Sequence, residues 1–174
     1  MTPARGRKVV VIGVGNEFRR DDGIGPEVLS RLREHVGAGP DAGTEIMAQL
    51  VNSDGEPADM IEAWTGAALA VVVDAVVADP SHPGRLHRLV IGRDEASAAH
   101  AVSSHGLGVG EAIGLAAALG RMPDCLVIHA AEAADVGHGV GLTPAVAAAA
   151  ADLTAAVLRD VQTAHGRKVS QPGP

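Results

Sequence analysis

Two continuous runs of apolar, mostly β-branched residues restrict the fold of this chain more than any other feature. Val9–Gly13 (VVVIG) and Leu69–Asp74 (LAVVVD) show no alternation of apolar and polar residues. Each run is therefore predicted to be a strand that is buried on both faces. Strands of this kind occur in parallel sheets that are covered by helices on both sides, so the runs favour a layered α/β structure.

The segments between the strands carry helical patterns. In Gly25–His35, Pro26 suits the first turn, and Val28, Leu29 and Leu32 share one face. Further helices are predicted at Pro57–Trp64, at His105–Leu119 with Ser104 as N-cap, and at Pro144–Val161 with Thr143 as N-cap. Further strands are predicted at Thr44–Val51, at Gly84–Ile91 as an edge strand, and at Cys125–His129.

This order of elements predicts an α/β fold, a single-domain three-layer sandwich with a mostly parallel twisted sheet and helices on both faces. The domain is expected to span residues 1–174, with a core of about 8–162 and a frayed tail at 166–174. The chain has one Phe, one Trp and no Tyr, so Val, Leu, Ile and Ala must fill the core.

Charge and composition exclude several classes of partner. The formal charge is −7 and there is no basic stripe, which argues against binding to nucleic acid. The longest apolar stretch, Ala67–Ala78, falls short of the ~20 residues that span a bilayer. Cys125 is the only cysteine, which rules out an intrachain disulfide. We expect a cytoplasmic protein, monomeric, without nucleic-acid or membrane partners.

Polar residues that suit a metal ion occur at three predicted ends of elements. Asp22 lies in the glycine-rich turn before the first helix, Asp74 ends the second apolar strand, and His105 opens the third helix. One imidazole and two carboxylates are ligands that nickel or zinc accepts. Taken singly, Asp22 could be a helix cap, Asp74 a cap of the following loop, and His105 a solvent-facing histidine. Their expected convergence at the carboxyl edge of one sheet favours a metal-recognising site.

Other sites are less well supported. Gly13 and Gly15 begin a dinucleotide motif, but Phe18 stands where the third glycine is expected. Ser103 or Ser104 with His105 and Asp74 contains the residue types of a hydrolytic triad, yet no GxSxG elbow occurs. Cys125 is predicted to be a buried structural thiol at the opposite edge of the sheet, and His129 a loop histidine. Asn16 is predicted to stabilise its turn, and Arg19 and Arg20 are either solvated or meet an acidic partner.

The same segments resemble the hydrogenase maturation proteases. VVVIGVGNEFRRDDGIGPEV is similar to the first motif of that family, VVVDAV to the second, SSHGLGVGEAIGLAAALGRMP to the third, and GVGLTPAV to the start of its last helix. The resemblance covers roughly residues 8–160, in order. Departures are Glu132-Ala-Ala-Asp, where relatives often have a proline-containing turn, and Thr143 in place of Ser.

The resemblance implies an endopeptidase of the aspartic type. The family's ligand pattern falls on Asp22, Asp74 and His105, which would be its catalytic and metal-recognising residues. Its partner would be the precursor of the large subunit of a nickel–iron hydrogenase, from which it removes a C-terminal extension after nickel insertion. The nickel would come with the substrate, so the protease need hold no permanent metal. Within the acidic pair, Asp21 is expected to cap the helix and Asp22 to meet the metal.

Two other functions stay open on the residues alone. One is a metal-dependent hydrolase of small molecules, which would hold a zinc ion tightly. The other is a non-enzymatic nickel-binding module that presents the metal to a partner protein.

Overall fold

The computed structural model describes residues 7–36, 48–95 and 107–166. Within these ranges the elements are, in order, β1 (Val9–Val14), a 3-10 helix (Arg20–Gly23), α1 (Ile24–Val36), β2 (Gln49–Ser53), α2 (Pro57–Trp64), β3 (Leu69–Val76), β4 (Leu86–Gly92), α3 (Leu107–Ala118), β5 (Cys125–Glu132) and α4 (Pro144–Gly166). No helix among these residues is long and apolar enough to cross a membrane.

The strands form one mixed sheet in the order β2-β1-β3-β5-β4. All neighbouring strands are parallel except β4, which lies antiparallel to β5 at one edge. The predicted α/β fold and the edge position of the Gly84–Ile91 strand are therefore confirmed. From β1 the chain passes through α1 to β2 on one side, and after α2 it returns to β3 on the other side. The carboxyl ends of β1 and β3 consequently flank the crevice where open α/β sheets hold their ligands.

Side chains of the buried strands alternate between two cores, one on each face of the sheet. On one face Val10, Ile12 and Val72 pack against residues of α2 and α3, including Met60 and Ile113. On the other face the packing involves α1 and α4, through Val11, Val71, Val73, Leu29 and Leu153. This explains why VVVIG and LAVVVD lack polar alternation, because both faces are covered by helices.

Several predicted boundaries differ from the structure. β3 runs to Val76, so Asp74 lies within the strand and pairs with Ala130, instead of ending the strand. His129 was predicted to be a loop histidine, which is wrong. β5 extends to Glu132, and His129 is buried within it with Nε2 2.7 Å from Asp160 Oδ2. Cross-strand pairing extends both strands beyond the apolar runs. The predictions for Ser104 and His105 lie outside the described residues.

Two glycines allow α1 to approach the sheet closely. A Cβ atom at Gly25, in the first turn of α1, would lie 2.3 Å from the Val14 carbonyl oxygen and 2.8 Å from the Val73 carbonyl oxygen. A Cβ atom at Gly13 in β1 would lie 2.6 Å from the Gly25 carbonyl oxygen. These contacts bring the start of α1 directly over the carboxyl ends of β1 and β3.

We expect Gly25→Ala to lower the free energy of unfolding by about 2 kcal/mol, because the new methyl group meets backbone atoms that cannot rotate away. A loss of stability would be informative, because alanine is the better helix former by about 1 kcal/mol and would stabilise the helix if there were space for it. Urea denaturation measures the change. Ser30→Ala, at an exposed position of the same helix, is the control and should stay within about 0.5 kcal/mol of the parent. Equal or higher stability of Gly25→Ala would contradict the close approach.

Candidate functional site

The turn after β1 is built around Gly15 and Asn16. Gly15 has φ 127°, and a Cβ atom there would lie 1.9 Å from the Asp22 carbonyl oxygen, so only glycine fits. The side-chain oxygen of Asn16 accepts a hydrogen bond from the Phe18 amide at 2.9 Å. The predicted role of Asn16 in this turn is thereby confirmed. The turn leads into the 3-10 helix that carries Asp21 and Asp22.

Asp22 faces back onto this turn. Its Oδ2 accepts a hydrogen bond of 2.9 Å from the backbone amide of Asn16. Among the described residues no group donates to the other oxygen, Oδ1. The carboxylate is partly buried, and it is fixed by one oxygen while the other is available to a ligand.

Asp74 is the second carboxylate at this edge of the sheet. Its Oδ1 accepts a hydrogen bond of 2.8 Å from the Ala75 amide, and no donor to Oδ2 is found in the described ranges. Burial raises the pKa of Asp74 from 3.8 to about 7, against the lowering effect of the Ala75 amide, and the negative charge of Asp22 raises it further. The structure thus brings Asp22 and Asp74 close enough for one carboxylate to disfavour ionisation of the other.

Asp21 has a different role from the predicted helix cap. It is fully buried, and its carboxylate accepts hydrogen bonds from the amides of Ala134, Asp135 and Thr143 and from the Thr143 hydroxyl. Burial alone would raise the pKa of Asp21, but these hydrogen bonds outweigh it and lower the pKa. Asp21 therefore anchors the segment between β5 and α4 to the turn after β1. The Thr143 hydroxyl, predicted to cap α4, donates to this anchor.

His105 lies outside the described residues, so its position relative to the two carboxylates is not part of the site geometry. The structure describes α3 from Leu107, two residues after His105. A Cβ atom at Gly108 would lie 2.6 Å from the Gly55 carbonyl oxygen, in the turn between β2 and α2. The first turn of α3 therefore packs on this turn at the carboxyl edge of the sheet. Within the described ranges no group of three or more His, Cys, Asp or Glu residues is arranged to hold a metal ion.

The buried interactions of one further polar group, Glu132, were not identified from the sequence. Glu132, at the end of β5, is buried and accepts hydrogen bonds from the His82 amide at 2.5 Å and from His87 Nε2 at 2.7 Å. The His82 amide and the His87 imidazole hold the pKa of Glu132 below its usual value. The sequence signal that could have identified Glu132 is a carboxylate at the end of an apolar strand. Cys125 begins β5 at the opposite edge, as predicted, although it is only partly buried.

The sequence and the fold are similar to those of known proteins. The family model described as hydrogenase maturation protease matches residues 26–160, well over half of the chain, beginning directly after the glycine-rich turn. The hydrogenase 2 maturation protease of Escherichia coli strain K12 is 25% identical over 152 residues, which is 81% of this chain and 82% of that protein.

Solved structures of hydrogenase maturation proteases share the fold. The maturating endopeptidase HybD from E. coli has a TM-score of 0.72 at 18% identity, covering 90% of this chain and 93% of that one. The maturation protease HybD from Thermococcus kodakarensis has a TM-score of 0.63 at 19% identity, covering 88% and 99%. Because the family model spans most of the chain, this protein belongs to the hydrogenase maturation protease family and is a hydrolase of the endopeptidase type.

Proposed function

We propose that this endopeptidase removes a C-terminal extension from the precursor of a nickel–iron hydrogenase large subunit after nickel has been inserted. In this proposal Asp22, Asp74 and His105 recognise the nickel ion that the precursor carries. The observation that supports it is the convergence of Asp22 and Asp74 at the crevice between β1 and β3, each with one carboxylate oxygen that accepts no hydrogen bond from the described residues.

The arrangement suits recognition of a metal that arrives with the substrate. Asp74 is fixed in a buried strand and Asp22 in a hydrogen-bonded turn, so both oxygens are held in place before the ion arrives. Two carboxylates that repel each other gain most from a divalent cation placed between them. A precursor that contains nickel would therefore bind more tightly than one that lacks it, and this difference in affinity is the proposed source of specificity.

Cleavage of the precursor itself tests the proposed function. Purified protein should cleave the nickel-loaded precursor of its cognate large subunit and leave the nickel-free precursor intact, as judged by mass spectrometry of the shortened product. A zinc-loaded precursor distinguishes dependence on nickel from dependence on any divalent ion. If the verified cognate precursor remains uncut in both states, the proposed function is wrong. Tight binding of nickel to the isolated protein without proteolysis would instead favour a nickel-binding module.

Asparagine substitutions separate the roles of the two neighbouring aspartates. Asp22→Asn keeps an oxygen for the Asn16 amide, so it should retain the stability of the parent but lower the rate of cleavage at least about 100-fold. Asp21→Asn replaces a buried carboxylate that accepts four hydrogen bonds, so it should lower the free energy of unfolding by about 3 kcal/mol. Urea denaturation gives the free energy of unfolding of each variant, and the precursor assay gives its rate of cleavage. Full activity of Asp22→Asn would remove Asp22 from the site.

The charge of Asp74 in the metal-free protein makes the free energy of unfolding depend on pH. Because folding raises the pKa of Asp74 from 3.8 to about 7, the folded protein keeps a proton there that the unfolded chain releases. The free energy of unfolding therefore falls as the pH rises from 3.8 towards about 7, and this loss of stability is complete above about pH 7. Asp74→Asn should be more stable than the parent by about 2–4 kcal/mol at pH 8 and nearly equal to it at pH 4. A difference between the two proteins that does not change with pH, measured by urea denaturation, would contradict the assigned pKa.

A further inference from the structure

The single phenylalanine of the chain is exposed beside the candidate site. Phe18 has 62% of its surface accessible to solvent. A single exposed apolar side chain is common on a protein surface, so the neighbours of Phe18 decide whether it marks an interface. Val140, another large apolar residue, is 73% exposed.

Backbone hydrogen bonds join the segments that carry these two side chains. The Gly139 amide donates to the Phe18 carbonyl oxygen and the Arg20 amide donates to the Gly139 carbonyl oxygen, both at 2.9 Å. The buried Asp21 carboxylate anchors the same pair of segments one residue further along. Phe18 and Val140 are therefore presented by a backbone that is already ordered, which lowers the entropic cost of binding a partner.

This surface is continuous with the candidate site and includes an exposed arginine. The Phe18 amide donates to Asn16, whose own amide donates to Asp22. Arg19 is exposed, and the half-exposed Arg20 side chain lies with Nε 3.6 Å from Asp135 Oδ2. The exposed Glu17 precedes Phe18 and the exposed Arg19 follows it, so the surface carries charges of both signs and Arg19 is its unpaired cation among the described residues. Arginine and aromatic residues are enriched in the centres of protein interfaces.

We propose that Phe18, Val140 and Arg19, hereafter the Phe18 surface, dock the folded body of the hydrogenase large-subunit precursor. The precursor would contribute an aliphatic depression for the Phe18 ring and one carboxylate that pairs with Arg19. Docking at this surface positions the precursor so that its metal faces Asp22 and Asp74. The inference rests on the proposed function, since it assigns to the same substrate a second contact outside the carboxylate site.

The chain offers a matched control for this surface. Leu119 is 56% exposed, similar to Phe18, but it follows the end of α3. Its neighbourhood lies at the amino edge of the sheet, where the Asp124 amide donates to Ala67 just before β3. Removing the Leu119 side chain therefore changes a comparable apolar area away from the candidate site. Neither Phe18 nor Leu119 belongs to the buried core, so both alanine variants should fold, which thermal unfolding checks.

The test compares Phe18→Ala with Leu119→Ala on the nickel-loaded precursor. Phe18→Ala should raise KM about tenfold and leave kcat within about twofold, because the lost contact serves binding and not bond cleavage. Leu119→Ala should match the parent protein. Phe18→Leu should recover most of the affinity. Arg19→Gln should raise KM mainly at low ionic strength, because the charge pair is screened by salt.

A calorimetric titration with the same precursor keeps the two proposals distinguishable. If the parent protein fails to cleave, the proposed function fails, whereas the docking surface is still tested by the dissociation constants of the Phe18→Ala and Leu119→Ala variants. A weaker dissociation constant only for Phe18→Ala supports the surface. Equal KM values and equal dissociation constants for the two variants overturn it, whether or not the precursor is cleaved.

Discussion

The buried carboxylate of Asp21 is the contact on which the architecture of the site depends. It accepts hydrogen bonds from Thr143, 122 residues away in sequence, and from Ala134 and Asp135. A buried charge is tolerated only when its acceptor positions are filled, and here three amides and one hydroxyl fill them. The carboxylate thus fixes the segment before α4 to the turn after β1. The same turn carries Asp22, and the backbone hydrogen bond between Phe18 and Gly139 joins the two segments a second time.

Adjacent aspartates can take opposite roles because they lie on one helical turn, here of the 3-10 type. This helix has about three residues per turn, so neighbouring side chains point roughly 120° apart. Asp21 is directed into the protein towards the segment before α4, while Asp22 is directed to the turn at Asn16. The corresponding angle in an α-helix is about 100°, so the separation comes from the helical turn itself. The short 3-10 helix therefore allows one motif to provide an anchor and a candidate ligand at successive positions.

The sequence predicted the features that depend on local patterns. The buried runs VVVIG and LAVVVD identified the central strands, and the carboxyl-edge rule correctly indicated that Asp22 and Asp74 would lie together. The sequence did not predict features that depend on residues far away along the chain. The Asp21–Thr143 contact leaves no local signal, and His129 lies in a strand because β5 is paired on both sides and Asp160 on α4 meets its imidazole. The role of His105 stays a prediction.

The composition of the core gives the exposure of Phe18 its meaning. Close contacts such as Gly25 against Val14 leave little space between α1 and the sheet, so small and branched aliphatic residues pack there. The core uses one large aromatic residue, Trp64 in α2, and buries it completely. Phe18 therefore cannot be regarded as part of an aromatic-rich interior that extends to the surface. Its position at the Asp22 turn, hydrogen-bonded to the segment that carries Val140, is what suits it to contact the precursor that the proposed function requires.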